Sequence, residues 1–168
     1  MTSTATATAP SFTTLFQWSD SYSIGLQEVD EQHRVLVDLL NELHDAVHHH
    51  KGSQKCREVL DRLAEYTRVH FTVEESLMRL LNYPDFADHK HRHEELIHQV
   101  VDLQHKLDDG KASITFELLH FLKVWLVKHI SESDRRFGEF AVARGLAPTW
   151  DTHVEQTMKK PKWRWKFW

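Results

Sequence analysis

The chain has 168 residues, 40% of them hydrophobic, a formal charge of −4, and only 5 Gly and 4 Pro. That size suits one core, and so few turn-forming residues exclude an all-β fold in favour of long elements. The single Cys56 cannot form an internal disulfide, so nothing points to an oxidising compartment.

Residues 1–15 read as a flexible arm. Met1–Ala9 is rich in Thr and Ala and lacks both the basic start and the apolar block of a secretory signal. The first helical stripe then runs from about Asp30 through His33, Leu36, Val37, Leu40, Leu43 and Val47, with Asp30 as its expected N-cap and Gly52 as its stop. A second starts after Ser53 and carries Cys56, Val59, Leu60, Leu63, Thr67, His70, Glu74, Leu77 and Leu81. It ends at Asn82-Tyr83-Pro84, because proline disfavours helix in the residue before it. The third carries Phe86, His89, His93, Leu96, Ile97, Val100, Leu103 and Leu107 and closes at Asp108-Asp109-Gly110. The fourth begins near Ser113 with Phe116, Leu119, Leu122, Trp125, Leu126, His129, Ile130 and Phe137, and ends by Gly145 or Pro148.

Short connections between long helices make neighbours antiparallel. The expected fold is therefore all-α, an up-down-up-down four-helix bundle over 16–147, followed by a basic and aromatic tail over 148–168. No stretch is apolar enough to span a bilayer, since even Leu118–Val127 carries His120 and Lys123. With no secretory signal either, a cytoplasmic protein is expected.

Seven polar residues sit on these apolar stripes: His33, His70, Glu74, His89, His93, His129 and Asp134. A buried imidazole without a partner costs about 1–3 kcal/mol, and a buried carboxylate without a cation costs more. Seven such groups converging in one core call for a metal. His70 and Glu74, like His89 and His93, are four residues apart and lie on one helix face. His129 and Asp134 are five apart, which an ideal helix turns about 140° away from each other, so a local π-type widening is predicted between them.

Seven ligands are too many for one tetrahedral zinc, and five imidazoles do not suit calcium or magnesium. Imidazole with bridging carboxylate suits two iron ions, with manganese or zinc as alternatives. Two carboxylates and a hydroxide nearly neutralise two divalent ions, so the site can lie buried. Di-iron oxidants built on paired Glu-x-x-His motifs carry more negative charge, and none of these seven residues forms such a motif. Its histidine-rich set suits binding better than oxidation of a substrate. His48-His49-His50 at a helix end reads as solvent-exposed. His44, His91, His98, His105, His120 and His153 have no evident partner set, and Glu75 reads as facing away from the site.

At these residues the chain resembles the hemerythrin family, in its single-domain bacterial branch. The likeness spans about Trp18 to Arg144. It is carried by Gly25-Leu26-Gln27-Glu28-Val29-Asp30-Glu31-Gln32-His33, His70-Phe71-Thr72-Val73-Glu74-Glu75, His89-Lys90-His91-Arg92-His93 and Trp125-Leu126-Val127-Lys128-His129-Ile130, with Asp134. The resemblance implies a non-haem di-iron centre (Fe2+/Fe3+) with an oxo or hydroxo bridge that binds dioxygen reversibly. His89, His93 and His129 would hold one iron, His33 and His70 the other, with Glu74 and Asp134 bridging. Leu36, Phe71, Trp125, Leu126 and Ile130 would form the family's apolar oxygen pocket. The implied function is oxygen storage, transport or delivery rather than enzymatic. The alternatives are an oxygen or redox sensor, and a di-iron peroxidase or oxidase.

The tail reads Lys159-Lys160-Pro161-Lys162-Trp163-Arg164-Trp165-Lys166-Phe167-Trp168, and the resemblance does not account for it. Without its five basic residues the remaining 16 of 21 stand against 25 acidic ones, which argues against a nucleic-acid partner for the body. Alternating cations and aromatics suit an anionic membrane surface, so peripheral contact with a membrane or a membrane enzyme is one expectation. A segment folding back on the acidic body is the other. A monomer is the expected state.

Overall fold

A computed structural model describes residues 14–146, all of them helix, turn or loop. The N-terminal arm and the Lys159–Trp168 tail fall largely or wholly outside these residues. The helices are α1 (Gln27–His48), α2 (Ser53–Leu80), α3 (Phe86–Asp108), α4 (Phe116–Lys128) and α5 (Arg135–Ala143), with a 3-10 turn at Asp20–Tyr22. A π-helical segment, His129–Asp134, joins α4 to α5. The backbone stays right-handed helical through both of its junctions, so α4, the π segment and α5 form one rod. The four rods make the antiparallel bundle that the periodicity predicts. No described helix is long and apolar enough to cross a membrane.

Leu40, Leu43, Leu60, Met78, Leu119, Ile130 and Phe137 are fully enclosed, and each such side chain contributes about 1.5–3 kcal/mol by leaving water. The helix ends follow local chemistry. Thr115 caps α4, its Oγ1 accepting from Leu118 N at 3.3 Å. Pro84 follows α2, and Gly52 opens α2 with φ +90°.

Three expectations need correction. Asp30 does not cap α1, which starts three residues earlier. Its carboxylate instead accepts from Ile24 N at 2.8 Å and Ser23 Oγ at 2.6 Å, pinning the preceding loop. Phe116, expected on the buried stripe, is 53% exposed because it is the first residue of α4, where the bundle ends. Leu77 and Leu81 are only partly buried, and Met78 takes the enclosed position at the end of α2.

A strap before α1 packs along that helix and reaches α5. Asn41 holds it at Phe16 by two hydrogen bonds, Phe16 N to Asn41 Oδ1 at 3.0 Å and Asn41 Nδ2 to Phe16 O at 2.7 Å. The indole of Trp18 then meets the guanidinium of Arg34, whose Cζ is 5.0 Å from the ring centroid, and the ring of His33 at a centroid separation of 6.3 Å. Further on, Ile24 rests directly on Gly138 of α5. A Cβ added at Gly138 would stand 2.2 Å from Ile24 O, a backbone atom that cannot swing aside. Gly138→Ala is therefore expected to cost about 3 kcal/mol and lower the melting temperature by roughly 10 °C, as thermal unfolding would read. An unchanged melting temperature would show that the strap yields freely.

Candidate metal centre

All seven predicted ligands are buried at one level of the bundle, one helix contributing His33, the next His70 and Glu74, the third His89 and His93, and the fourth rod His129 and Asp134. They form two groups. Ligand atoms of Glu74, His89, His93, His129 and Asp134 lie within 4.8 Å of one another, as do those of His33, His70 and Asp134. Asp134 belongs to both. Its Oδ1 is 2.9 Å from His129 Nε2 and 3.2 Å from His89 Nε2, while its Oδ2 is 3.1 Å from His33 Nε2. This straddling position needs the π turn, which brings residues five apart onto one face.

Glu74 groups with the three histidines and Asp134. Its Oε2 is 3.3 Å from His93 Nε2 and 3.4 Å from His89 Nε2. Such proximity is not hydrogen bonding. Both oxygens of Glu74 and of Asp134 and both nitrogens of His33 are enclosed without an oriented hydrogen bond among the described residues. His93 Nε2 also stands 3.1 Å from His89 Nε2 and 2.9 Å from His129 Nε2. Imidazole nitrogens about 2.1 Å from one ion, at right angles, lie ~3.0 Å apart. Orphaned carboxylate oxygens around converging ring nitrogens fit a pair of cations.

Around the centre, aromatic rings restrict the imidazoles. Phe71 stacks on His93 with centroids 3.6 Å apart and planes 4° apart, and Trp125 stacks on His129 at 4.5 Å and 12°. Two residues missed by the sequence reading hold histidines from behind. His70 Nδ1 donates to Gln32 Oε1 at 2.9 Å, and His93 Nδ1 donates to Glu75 Oε1 at 3.1 Å. Glu75 thus does not face away. Position 75 lies about 100° round α2 from Glu74, which turns it from the centre but aims it at α3. The signal was adjacency: each of these residues neighbours a ligand in sequence and serves a ligand on the next helix.

Residues 24–141 match the family model described as the hemerythrin HHE cation binding domain. The chain belongs to the hemerythrin family. A bacteriohemerythrin of Methylococcus capsulatus is 37% identical over 109 residues, 65% of this chain and 82% of that relative. One from Stenotrophomonas maltophilia is 35% identical over 127 residues, 74% of this chain and 80% of that one. Among solved structures, a wild-type hemerythrin superposes with a TM-score of 0.72 at 32% identity, covering 74% of this chain and 96% of the other. The hemerythrin fold and the donor set described above therefore coincide within one matched region.

The electrostatics of the hemerythrin centre without metal show what a cation must replace. Burial alone would lower His89, but its contacts with Asp134 and Glu74 outweigh that and push it up to about 9, so a proton there supplies the missing positive charge. Burial, and then the charge of His33, push His70 down to about 3. Burial also lowers His129. Burial would raise both carboxyls, yet the surrounding imidazoles hold Glu74 and Asp134 below the ordinary carboxylate range.

A pH dependence follows. His89 titrates near 6.5 in the unfolded chain and higher in the fold, so its contribution is complete below pH 6.5 and is lost as pH rises through 9. His70 acts oppositely, its depressed value withdrawing stability as pH falls from 6.5 towards 3. The melting temperature of metal-free protein is expected to fall between pH 6.5 and 9. Metal-loaded protein, whose ligated His89 carries no proton, should show no such fall. Parallel melting curves for the two forms across that range would contradict the assignment of His89.

Proposed function

We propose that this chain binds dioxygen reversibly at a di-iron centre, with His89, His93, His129, Glu74 and Asp134 holding one ion and His33, His70 and Asp134 the other. The observation that carries the reading is the inequality of the two groups, five donors against three, beside an apolar cavity. The smaller group leaves positions for an added ligand. A pair of irons held there supplies reversible two-electron chemistry towards dioxygen.

The cavity supports this from the protein side. It measures about 40 Å³, room for two or three water-sized molecules, and is lined by residues including Leu36, Thr67, Leu96, Trp125 and Leu126. Leu36 and Leu96 follow His33 and His93 by three residues, and Thr67 and Leu126 precede His70 and His129 by three, so the cavity lies one turn from the donors. Its polar side chain, Thr67, already donates its hydroxyl to Leu63 O at 2.7 Å. Water entering would find only the Thr67 hydroxyl oxygen as a partner, and the walls offer no acidic group to drive oxygen reduction onward. That favours a carrier over an oxidase or peroxidase. Of the five residues proposed for the oxygen pocket, Leu36, Trp125 and Leu126 line this cavity. Phe71 and Ile130 are buried beside the ligands they pack on or adjoin.

Protein loaded with ferrous iron without air is expected to hold two irons per chain. Through cycles of oxygen and inert gas, its oxygen-dependent visible band should appear and vanish repeatedly. Steady consumption of oxygen or peroxide would establish the enzymatic reading instead. Irreversible oxidation in the first cycle would overturn the carrier.

For the tail, the reading is contact with an anionic membrane surface, supported by five cations interleaved with four aromatics in Lys159–Trp168. Full-length protein should sediment with vesicles containing phosphatidylserine at low salt, and not with neutral vesicles. Loss of the difference on deleting 159–168 would assign it to the tail. Equal recovery with and without the deletion would dismiss it.

A further inference from the structure

Gln32 and Glu75 do different things to the two halves of the centre, and the difference is written in their partners. Gln32 sits between two groups. Its Nε2 donates to Glu28 Oε1 at 2.9 Å, which leaves its Oε1 turned to His70 Nδ1 at 2.9 Å. A carboxylate accepts only, so Glu28 fixes which way the amide faces. The amide oxygen accepts only as well. His70 must therefore carry its proton on Nδ1, with the Nε2 lone pair free for a metal. Glu75 acts on His93 without an intermediary, its Oε1 accepting from Nδ1 at 3.1 Å while its Oε2 pairs with Arg79 Nη2 at 3.4 Å. His93 Nε2 is bare for the same reason, among the nitrogens of His89 and His129.

Both contacts cross between helices. Gln32 of α1 fixes a ligand on α2, and Glu75 of α2 fixes a ligand on α3. Their charges differ: behind the three-donor group stands a neutral amide, and behind the five-donor group a carboxylate. An acceptor behind a ligating imidazole raises its basicity, an anionic one more than a neutral one.

Resting on the two-ion reading above, we infer that Gln32 and Glu75 are positioning residues of unequal strength. Each holds one histidine in its metal-binding tautomer, and together they make the His89/His93/His129 half more electron-donating than the His33/His70 half. The neutral partner keeps the half with room for an added ligand the weaker donor. Charge from Glu28 reaches His70 only through the amide.

Two-step binding of Co2+, followed by its visible absorption in competition with a chelator, separates the halves without any oxygen chemistry. Gln32→Met keeps the size and removes the acceptor, and should weaken one of the two ions about 10- to 100-fold. Gln32→Glu should restore or exceed native affinity for that same ion. Glu75→Gln should weaken the other ion about tenfold and leave the first unchanged. In iron-loaded protein, Gln32→Glu should lower the midpoint potential and Glu75→Gln should raise it. Where Gln32→Met does not fold, shown by loss of far-ultraviolet ellipticity, Glu28→Ala tests the same relay by freeing the amide to flip, with a smaller loss at the same ion. Native affinities and potentials in Gln32→Met and Glu75→Gln would overturn the inference, as would losses shared equally by both ions. Fewer than two Co2+ bound by native protein would overturn the two-ion reading itself.

Discussion

Seven polar side chains share a core that water does not reach, and too few protons and oriented hydrogen bonds exist among them to satisfy them. That deficit governs the structure. Leu, Ile and Phe packing could hold four helices together without any of these groups, and each unsatisfied imidazole or carboxylate subtracts from what such packing contributes. The arrangement is stable only with positive charge at its centre. In the metal-free chain a proton on His89 serves in part, caught between Glu74 and Asp134. A pair of metal ions serves better, which couples metal binding to the stability of the whole bundle.

The π segment is the local distortion that makes the centre possible. A regular helix from Phe116 to Ala143 would carry Asp134 away from His129, and the two donor groups would lose the residue they share. Widening the helix over His129–Asp134 brings the carboxylate inward, with one oxygen towards each group. The distortion sits at one level of one rod. The rest of the bundle remains regular, and its apolar stripe beyond the donors lines the cavity.

Much of this was legible in the sequence because it follows from spacing. The residues four apart on α2 and α3, and the awkward five between His129 and Asp134, specify both the donor level and the need for a π turn. Helix ends marked by Pro84 and Gly110 were equally plain. What escaped were contacts that depend on two helices at once. Gln32 and Glu75 look like surface polar residues in a one-dimensional pattern, since neither lies on its own helix's apolar stripe. Their function appears only when the neighbouring helix brings a histidine opposite. Asp30 carried the composition of an N-cap but spends its carboxylate on the preceding loop, and periodicity cannot distinguish those uses. Phe116 fitted the stripe but lies where the bundle has ended. The role of Glu74 as a second bridge is likewise not readable from spacing; it comes from the family resemblance.

The sharing of Asp134 has a consequence for biosynthesis. Synthesis runs from the N-terminus, so a nascent chain that has emerged through α3 already displays His33, His70, Glu74, His89 and His93, and lacks the residue common to both groups. Neither ion can be held by its full donor set until the last rod is made. The strap that packs on Gly138 waits for the same event. Maturation of the centre thereby waits for α4 and the π segment, and a chain stalled before α4 would display histidines without a completed cage.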